Sequence, residues 1–431
     1  MDPTFRAPRG IGGAYVPPPD KSITHRALML AAVSASRSRI RRPLSTGDCI
    51  STRRCLETLG VGFADTGEGV EVQGVGLRGF AEPARPLDAE NSGTTTRLLS
   101  GLLAGQKIFV VLSGDDSLVR RPMGRVVEPL RKMGARIEGR EAGRFAPLCF
   151  IPGAGELQPL SWDIPVPSAQ VKSSLLLAAL RATGPSRIGG KIASRDHTER
   201  MLGALGVRLV EQDSSFCVEP VEGLPGFDAV VPGDVSSAAF LVAAALITGR
   251  ELTIHGCGVN PTRCGFLAVA RRMGARSDIV EESESLGEPA GSITVHPASL
   301  AGATVTAAEV PELIDEIPLV AVLGLFARGR TEVRGASELR VKESDRLAMI
   351  ARMAESIGGK LEMFEDGFAV DGPQALRPGV VDPQGDHRIA MAAAVAGAGI
   401  PGGVKVLGFD CSRVSYPDFL QDFAALGGEV S

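Results

Sequence analysis

The chain has 431 residues, enough for two or three domains with a large core, and its 44% hydrophobic content is ordinary for a globular protein. A net charge of −4 excludes a global field that would draw in nucleic acid or an anionic membrane, so an anionic ligand would need cations gathered locally. Seven cysteines with no CxxC pair and no zinc-spaced His/Cys cluster point to reduced thiols, a cytoplasmic location and no metal; no apolar run is long enough to span a bilayer.

In chain order, the first strong signal is PPPDKSITHRALMLAAV at residues 17–33. It predicts a buried helix, apolar nearly all round after a first turn that carries Lys21, Ser22, His25 and Arg26. A surface helix then ends at Leu59-Gly60-Val61, where a left-handed glycine stops it before a strand. These two signals alternate to the C-terminus. Apolar segments begin near Lys21, Asn91, Ser168, Asp234, Asp315 and Asp386, spaced 70, 77, 66, 81 and 71 residues apart. Helix ends fall at Gly60, Gly134, Gly206, Gly274, Gly358 and Gly427, spaced 74, 72, 68, 84 and 69. Single LG-type helix ends are common, but two interleaved series of matching period are not. The unit is inner helix, strands, outer helix, strand, and is longer than the ~20–50 residues of a solenoid repeat. Six units make an α/β (α+β) protein of two domains, three units each, with a candidate crossover at Val231-Pro232-Gly233.

A helix start directs free N–H groups and the positive end of its dipole at whatever lies before it, and so suits anions. Asp20, Ser22, Asn91, Ser168, Asp234 and Asp315 are all good capping types. Lys21 and Arg26 are not, because a cation there opposes the dipole. Their counter-charge must be a neighbouring carboxylate or a bound anion, and the anion is the favoured reading. Further cations cluster in Arg120-Arg121-Pro122-Met123-Gly124-Arg125, in the segment 194–200 and in the segment 340–346, where a solvated helix face is the plainer alternative. Gly74-Val-Gly-Leu-Arg-Gly79 has dinucleotide-loop spacing, but the following FAEPARP cannot open a helix. No phosphate-loop, HExxH or EF-hand pattern occurs, and the five histidines show no ligand pairing.

Taken together, Pro19-Asp-Lys-Ser-Ile-Thr-His-Arg26, Asn91-Ser-Gly-Thr94, Arg121-Pro-Met123, Ser168-Ala-Gln170, Ser194-Arg-Asp-His-Thr-Glu199, Pro232-Gly-Asp234, Arg340-Val-Lys-Glu-Ser-Asp-Arg346 and Asp386-His-Arg388 resemble the 5-enolpyruvylshikimate-3-phosphate synthase family, in its order and over nearly the whole chain. The resemblance implies two domains, each of three βαβαββ-type units with buried parallel inner helices, an inverse α/β barrel-like enolpyruvyl transferase fold. Residues 1–19 and 234–431 would form one domain and 20–233 the other, with the active site in the cleft between them and closure driven by ligands.

It also implies transfer of the enolpyruvyl group of phosphoenolpyruvate to the 5-hydroxyl of shikimate 3-phosphate. Phosphate is released through a tetrahedral intermediate, in a cytoplasmic monomer without cofactor or metal. Both substrates carry a phosphate and a carboxylate, anions that repel strongly in a low dielectric. The phosphoenolpyruvate residues would be Lys21, Gly93, Thr94, Arg121, Gln170, Arg346 and Arg388, and Gly93 would leave that pocket open to glyphosate. The shikimate 3-phosphate residues would be Lys21, Ser22, Arg26, Ser168, Ala169, Gln170, Arg195, Asp315 and Lys342. Asp315 and Glu343 would be the acid and base, with Lys21 and Lys342 assisting; their plainer readings are an N-cap for Asp315 and a first-turn acid for Glu343. The chain departs from some members at Ala169, where they have Ser, at Glu338, where they have Asn, and at Val414, where they have Lys; Arg413 or Lys405 would be the substitute cation. The alternatives are the related transferase that uses UDP-N-acetylglucosamine, whose early motif pairs Lys with Asn, and a non-catalytic scaffold of the same fold.

Overall fold

The structure is a computed structural model that describes residues 1–153 and 155–431. Both helix series are present. The inner helices are Lys21–Val33, Gly93–Leu103, Ala169–Ala179, Val235–Thr248, Ile317–Phe326 and His387–Gly399. Their bodies are buried on nearly every side, which is why their sequences lack a polar stripe. The outer helices are Asp48–Thr58, Gly124–Lys132, His197–Ala204, Gly265–Arg272, Arg346–Ser356 and Phe419–Ala425. All six glycines read as helix stops have φ between 82° and 106°, the left-handed conformation that lets the chain reverse into a strand. The Gly124–Lys132 helix shows the outer pattern: Val126, Val127 and Leu130 are buried, while Arg131 and Lys132 sit in the last turn, where cations suit the dipole.

Each pair of helices accompanies a four-stranded sheet, and the described residues form six such sheets. In one, Asp228–Val230 runs parallel to Arg37–Arg41, followed by antiparallel Gly69–Gln73 and Gly62–Thr66. The register sets Arg39 opposite Glu71 on the outer face, 3.1 Å apart, while Ile40, Val70 and Val72 face the core.

The chain divides into two compact units. One comprises Met1–Pro18, Pro232–Ser283 and Pro289–Ser431; the other comprises Pro19–Val231 and Glu284–Glu288. We call them the terminal unit and the central unit. In the terminal unit the N-terminal strand Thr4–Arg6 lies between Val404–Val406 and Glu429–Val430, so both chain ends share one sheet. Phe5, Phe409, Phe419 and Phe423 pack there with ring centroids 4.6–6.0 Å apart, a concentration of the chain's few aromatics. The central unit has its own core of Leu, Val and Ala. There the Gly93–Leu103 and Ala169–Ala179 helices meet backbone to backbone: a Cβ on Gly101 would lie 2.1 Å from the Ser174 carbonyl oxygen.

One segment escaped the sequence reading. Glu284–Glu288 interrupts the terminal unit yet belongs to the central one. Glu288 Oε1 lies 2.8 Å from His197 Nδ1, with both side chains buried, and Ser285 Oγ accepts from the Val230 amide at 2.8 Å. No periodic signal marks so short an anchor.

Candidate active site

In the central unit three inner-helix starts carry most of the residues singled out by motif. Asp20 caps the Lys21–Val33 helix by accepting from the Ile23 amide at 2.8 Å. Lys21 lies just inside that cap, and its Nζ is 3.1 Å from Asp48 Oδ2. This corrects the sequence expectation: a neighbouring carboxylate, not only a bound anion, offsets the cation at this helix start. Arg26 is different. It is buried and donates to the hydroxyls of Thr198 and Ser173 at 2.8 and 2.9 Å and to the Ser22 carbonyl at 3.0 Å. Burial pulls the Arg26 guanidinium down to about 10, against the raising fields of Glu199, Asp20 and Glu288.

His25 is fully buried, with Nδ1 2.7 Å from Thr52 Oγ1. Burial, with Lys21 and Arg26 nearby, holds its imidazole well below the ordinary 6.5, so it stays neutral. Thr52 continues through Thr95 to the hydroxyl of Ser92, in steps of 2.6 Å. Ser92, rather than Asn91, caps the Gly93–Leu103 helix. Asn91 instead receives Arg121, through its carbonyl at 3.3 Å and its side-chain oxygen at 2.5 Å, and Ser117 takes a third bond at 3.0 Å. Gln170 donates to Thr94 Oγ1 at 2.9 Å and accepts from Arg97 Nη1 at 2.7 Å. Gly93 lies beside these groups: a Cβ there would meet Arg97 Nη1 at 2.7 Å and Arg121 Nη1 at 3.4 Å. Gly93, Thr94, Arg121 and Gln170 therefore share one neighbourhood, to which Arg97 belongs although its motif role was missed. Arg97 stands one helical turn after Gly93, a spacing that could have revealed it.

Ser168 caps the Ala169–Ala179 helix through the Val171 amide at 3.3 Å, and Ala169 offers only its backbone. Ser22 and Arg195 are partly exposed, the latter in the segment before the His197–Ala204 helix.

In the terminal unit the motif residues converge on one guanidinium. Arg346, at the start of its outer helix, is buried and meets three carboxylates: Asp386 Oδ2 at 2.9 Å through Nε, Asp315 Oδ1 at 3.2 Å through Nη1 and Glu343 Oε2 at 2.5 Å through Nη2. Burial opposes its charge, but Asp386, Glu343 and Asp315 outweigh it and hold Arg346 above its ordinary range. These contacts use three of the five guanidinium N–H groups, leaving one on each terminal nitrogen for a ligand.

Asp315 is not the helix cap that was its plainer reading. The helix starts at Ile317 with Glu316 at the cap position and no side-chain capping bond, so the Asp315 carboxylate is turned to Arg346 instead. Glu343 likewise precedes its helix, which Asp345 caps through the Ala348 amide. Two acids 28 positions apart in sequence thus share one cation. Asp386, read only as a helix start, both caps the His387–Gly399 helix through the Arg388 amide and fixes Arg346. Arg388 is buried, donates to Ser236 Oγ at 2.7 Å and lies over the Phe240 ring at 5.7 Å; Ser236 in turn donates to Glu316. Ser236 and Glu316 are supports that no motif announced. Lys342 follows the short 3-10 turn Ser337–Val341 and is partly exposed. Of the two substitute cations, Arg413 is exposed and close enough to Asp410 to lower that carboxyl, after the N-terminal amine, while Lys405 points outward from strand Val404–Val406.

Among the described residues no group of three or more His, Cys, Asp and Glu is placed to hold a metal ion. The arrangement sets Arg26 among neutral oxygens and Lys21 beside Asp48 in the central unit, and three carboxylates on a shared cation in the terminal unit. No helix among the described residues is long and apolar enough to cross a membrane.

Comparison with known proteins agrees over the whole length. The sequence model of the EPSP synthase (3-phosphoshikimate 1-carboxyvinyltransferase) family matches residues 6–423. The 3-phosphoshikimate 1-carboxyvinyltransferase of Geobacter metallireducens is 44% identical over 417 residues, covering 96% of this chain and 97% of that one. That of a Synechococcus strain is 47% identical over 423 residues, covering 97% and 95%. The solved structure of EPSP synthase from Acinetobacter baumannii superposes with a TM-score of 0.87 at 34% identity, covering all of both chains. The enolpyruvyl transferase NikO of Streptomyces tendae, 18% identical, superposes at 0.79 over 100% of this chain and 98% of its own, a likeness of fold.

Proposed function

The chain belongs to the EPSP synthase family, and on that premise we propose how its residues carry the reaction. The enzyme, a transferase of the shikimate pathway, moves the enolpyruvyl group of phosphoenolpyruvate to the 5-hydroxyl of shikimate 3-phosphate. In the addition, the hydroxyl oxygen bonds to C2 of phosphoenolpyruvate, the hydroxyl loses its proton and the C3 methylene gains one. In the elimination, the C2–O bond to phosphate breaks, C3 returns a proton, and inorganic phosphate leaves.

The observation that carries this reading is the sharing of Arg346 by Asp315 and Glu343. The chemistry needs one base for the hydroxyl and one acid for C3, exchanged between the two steps. Two carboxylates fixed on one guanidinium supply such a pair, and the two remaining N–H groups of Arg346, with Arg388, receive an anionic oxygen of phosphoenolpyruvate. Lys342 and Lys21 offset charge that develops at the reacting oxygens.

In the central unit, Arg121, Gln170, Thr94 and the open backbone at Gly93 hold phosphoenolpyruvate. Ser22, Arg26, Ser168, the Ala169 amide, Gln170 and Arg195 hold shikimate 3-phosphate, with Lys21 touching both substrates and Asp315 and Lys342 completing the shikimate side. The sheets among the described residues are built from this chain's own strands, which suits a monomer, and none of the seven cysteines sits in a disulfide, which suits a reducing cytoplasm.

The test is phosphate release on mixing the protein with both substrates. Release with phosphoenolpyruvate and shikimate 3-phosphate supports the reading. Release only with UDP-N-acetylglucosamine as acceptor, or with neither acceptor, overturns it.

A further inference from the structure

Lys172 is a buried cation that the mechanism above does not use. It lies in the first turns of the Ala169–Ala179 helix with its side chain 2% exposed. A buried ammonium without partners is costly, so its surroundings should explain it. Its Nζ donates to the Ile192 carbonyl at 3.0 Å and the Ser194 carbonyl at 3.4 Å, and forms an ion pair with Glu199 Oε1 at 2.5 Å. The Phe216 ring lies 5.6 Å from Nζ, closing the site with an apolar wall that also attracts a cation. The ammonium thus donates to two backbone carbonyls and is neutralised by one carboxylate.

Two of those oxygens belong to the segment joining strand Ser186–Gly190 to the His197–Ala204 helix, and the next residue is Arg195. In the same segment Ser194 Oγ donates to the Ile192 carbonyl, and Arg200 of the following helix donates to Asp196 at 2.8 Å. Lys172 also follows Ser168-Ala169-Gln170 on its own helix and precedes Ser173, whose hydroxyl takes Arg26 and Thr198.

We infer that Lys172 is a positioning residue for shikimate 3-phosphate: it fixes the Arg195 segment against the start of the Ala169–Ala179 helix, with Glu199 neutralising it. The inference rests on the proposed role of Arg195 and the Ser168–Gln170 turn. Because Lys172 is enclosed, it acts through the segment's carbonyls and not on the ligand.

Steady-state kinetics of four variants test it. Lys172→Met should raise the KM for shikimate 3-phosphate by about tenfold or more while kcat and the KM for phosphoenolpyruvate change less than about twofold. Glu199→Gln, which preserves volume, should move the same constant in the same direction by less. Lys172→Met with Glu199→Met removes both charges but restores no bond to the segment. Its melting temperature should recover relative to Lys172→Met, while the raised KM persists; this variant also serves if Lys172→Met alone does not fold. An unchanged KM for shikimate 3-phosphate in the lysine variants, a parallel rise in both KM values, or a KM restored along with stability overturns the inference. Arg195→Ala separates the premise. If it raises the KM for shikimate 3-phosphate and the lysine variants do not, positioning by Lys172 is wrong; if it leaves both KM values unchanged, Arg195 is not in the site and the inference falls at its premise.

Discussion

Arg26 in the central unit and Arg346 in the terminal unit are held in opposite ways. In the central unit Arg26 is held by hydroxyls and a carbonyl, Arg121 meets the Asn91 oxygens and the Ser117 hydroxyl, and Lys21 lies against the Asp48 carboxylate. In the terminal unit Arg346 is ringed by three carboxylates. Neutral oxygens orient the Arg26 guanidinium without cancelling its charge, so it retains its attraction for anions. The terminal set spends its cation on holding acids in place, which suits proton transfer more than capture. A family defined by anionic substrates and an acid–base reaction needs both. The difference predicts that removing a cation from the terminal set harms fold and turnover together, whereas removing one from the central set harms turnover alone.

The largest expected effect is at Arg346. Arg346→Ala leaves Asp386 and its neighbours without their cation in a buried place, and breaking a buried pair from one side costs about 3–5 kcal/mol. Chemical denaturation should show that loss, and phosphate release should fall at least about a thousandfold, since the acid and base lose their common anchor. A stable, active variant would remove the terminal set from the mechanism. Lys21→Ala is the matching break in the central unit. Its ion pair involves one carboxylate that keeps some exposure to water, where Arg346 holds three, so the melting curve should move much less than for Arg346→Ala while turnover collapses. Equal destabilisation by the two substitutions would erase the contrast.

Gly93→Ala is gentler. The new methyl meets the far ends of Arg97 and Arg121, which can move, so the fold should survive. The KM for phosphoenolpyruvate should rise by about tenfold and glyphosate should inhibit less, because both need the space beside Gly93. Wild-type inhibition by glyphosate should weaken as phosphoenolpyruvate is raised. Inhibition that ignores phosphoenolpyruvate concentration would place glyphosate elsewhere.

Most of the architecture was legible because buried helices and left-handed helix ends repeat with a period that survives sequence variation: Gly60 and Gly427 carry the same signal at opposite ends of the chain. What stayed hidden depends on contacts between distant segments. Nothing around Asp48 says that it will face Lys21, and nothing in Glu316 says that it will hold Ser236 beneath Arg388. For Asp315 a helix cap stood as the plainer alternative to an acid or base, because the two readings share a residue type and a place near helix starts. Only the start of the helix two residues later, and the turn of the carboxylate to Arg346, separate the readings. The anchor Glu284–Glu288 was invisible for the same reason, since its meaning lies in His197.

The smallest predicted effect provides a control, because it titrates outside both sets of residues. His296 lies between Asp278 and Glu251, with its ring nitrogens 2.9 and 2.8 Å from their carboxylates. The bond to Asp278 first, then that to Glu251, raises the imidazole above its ordinary 6.5. The stabilisation is therefore full below pH 6.5 and fades as pH rises through the raised folded value. Asp278 runs the other way: its bond to His296 lowers it below 3.8, so its contribution is full above that pH and fades on acidification through the lowered value. The cluster should contribute most between the two ordinary values and slightly less on either side. Because the groups are solvent-exposed, the melting temperature should change little, and His296→Asn should flatten that small dependence while leaving the pH profile of turnover unchanged. A shifted turnover profile in His296→Asn would mean that the acid–base groups sense this surface cluster, and that the division of labour between the two sets of cations is drawn too sharply.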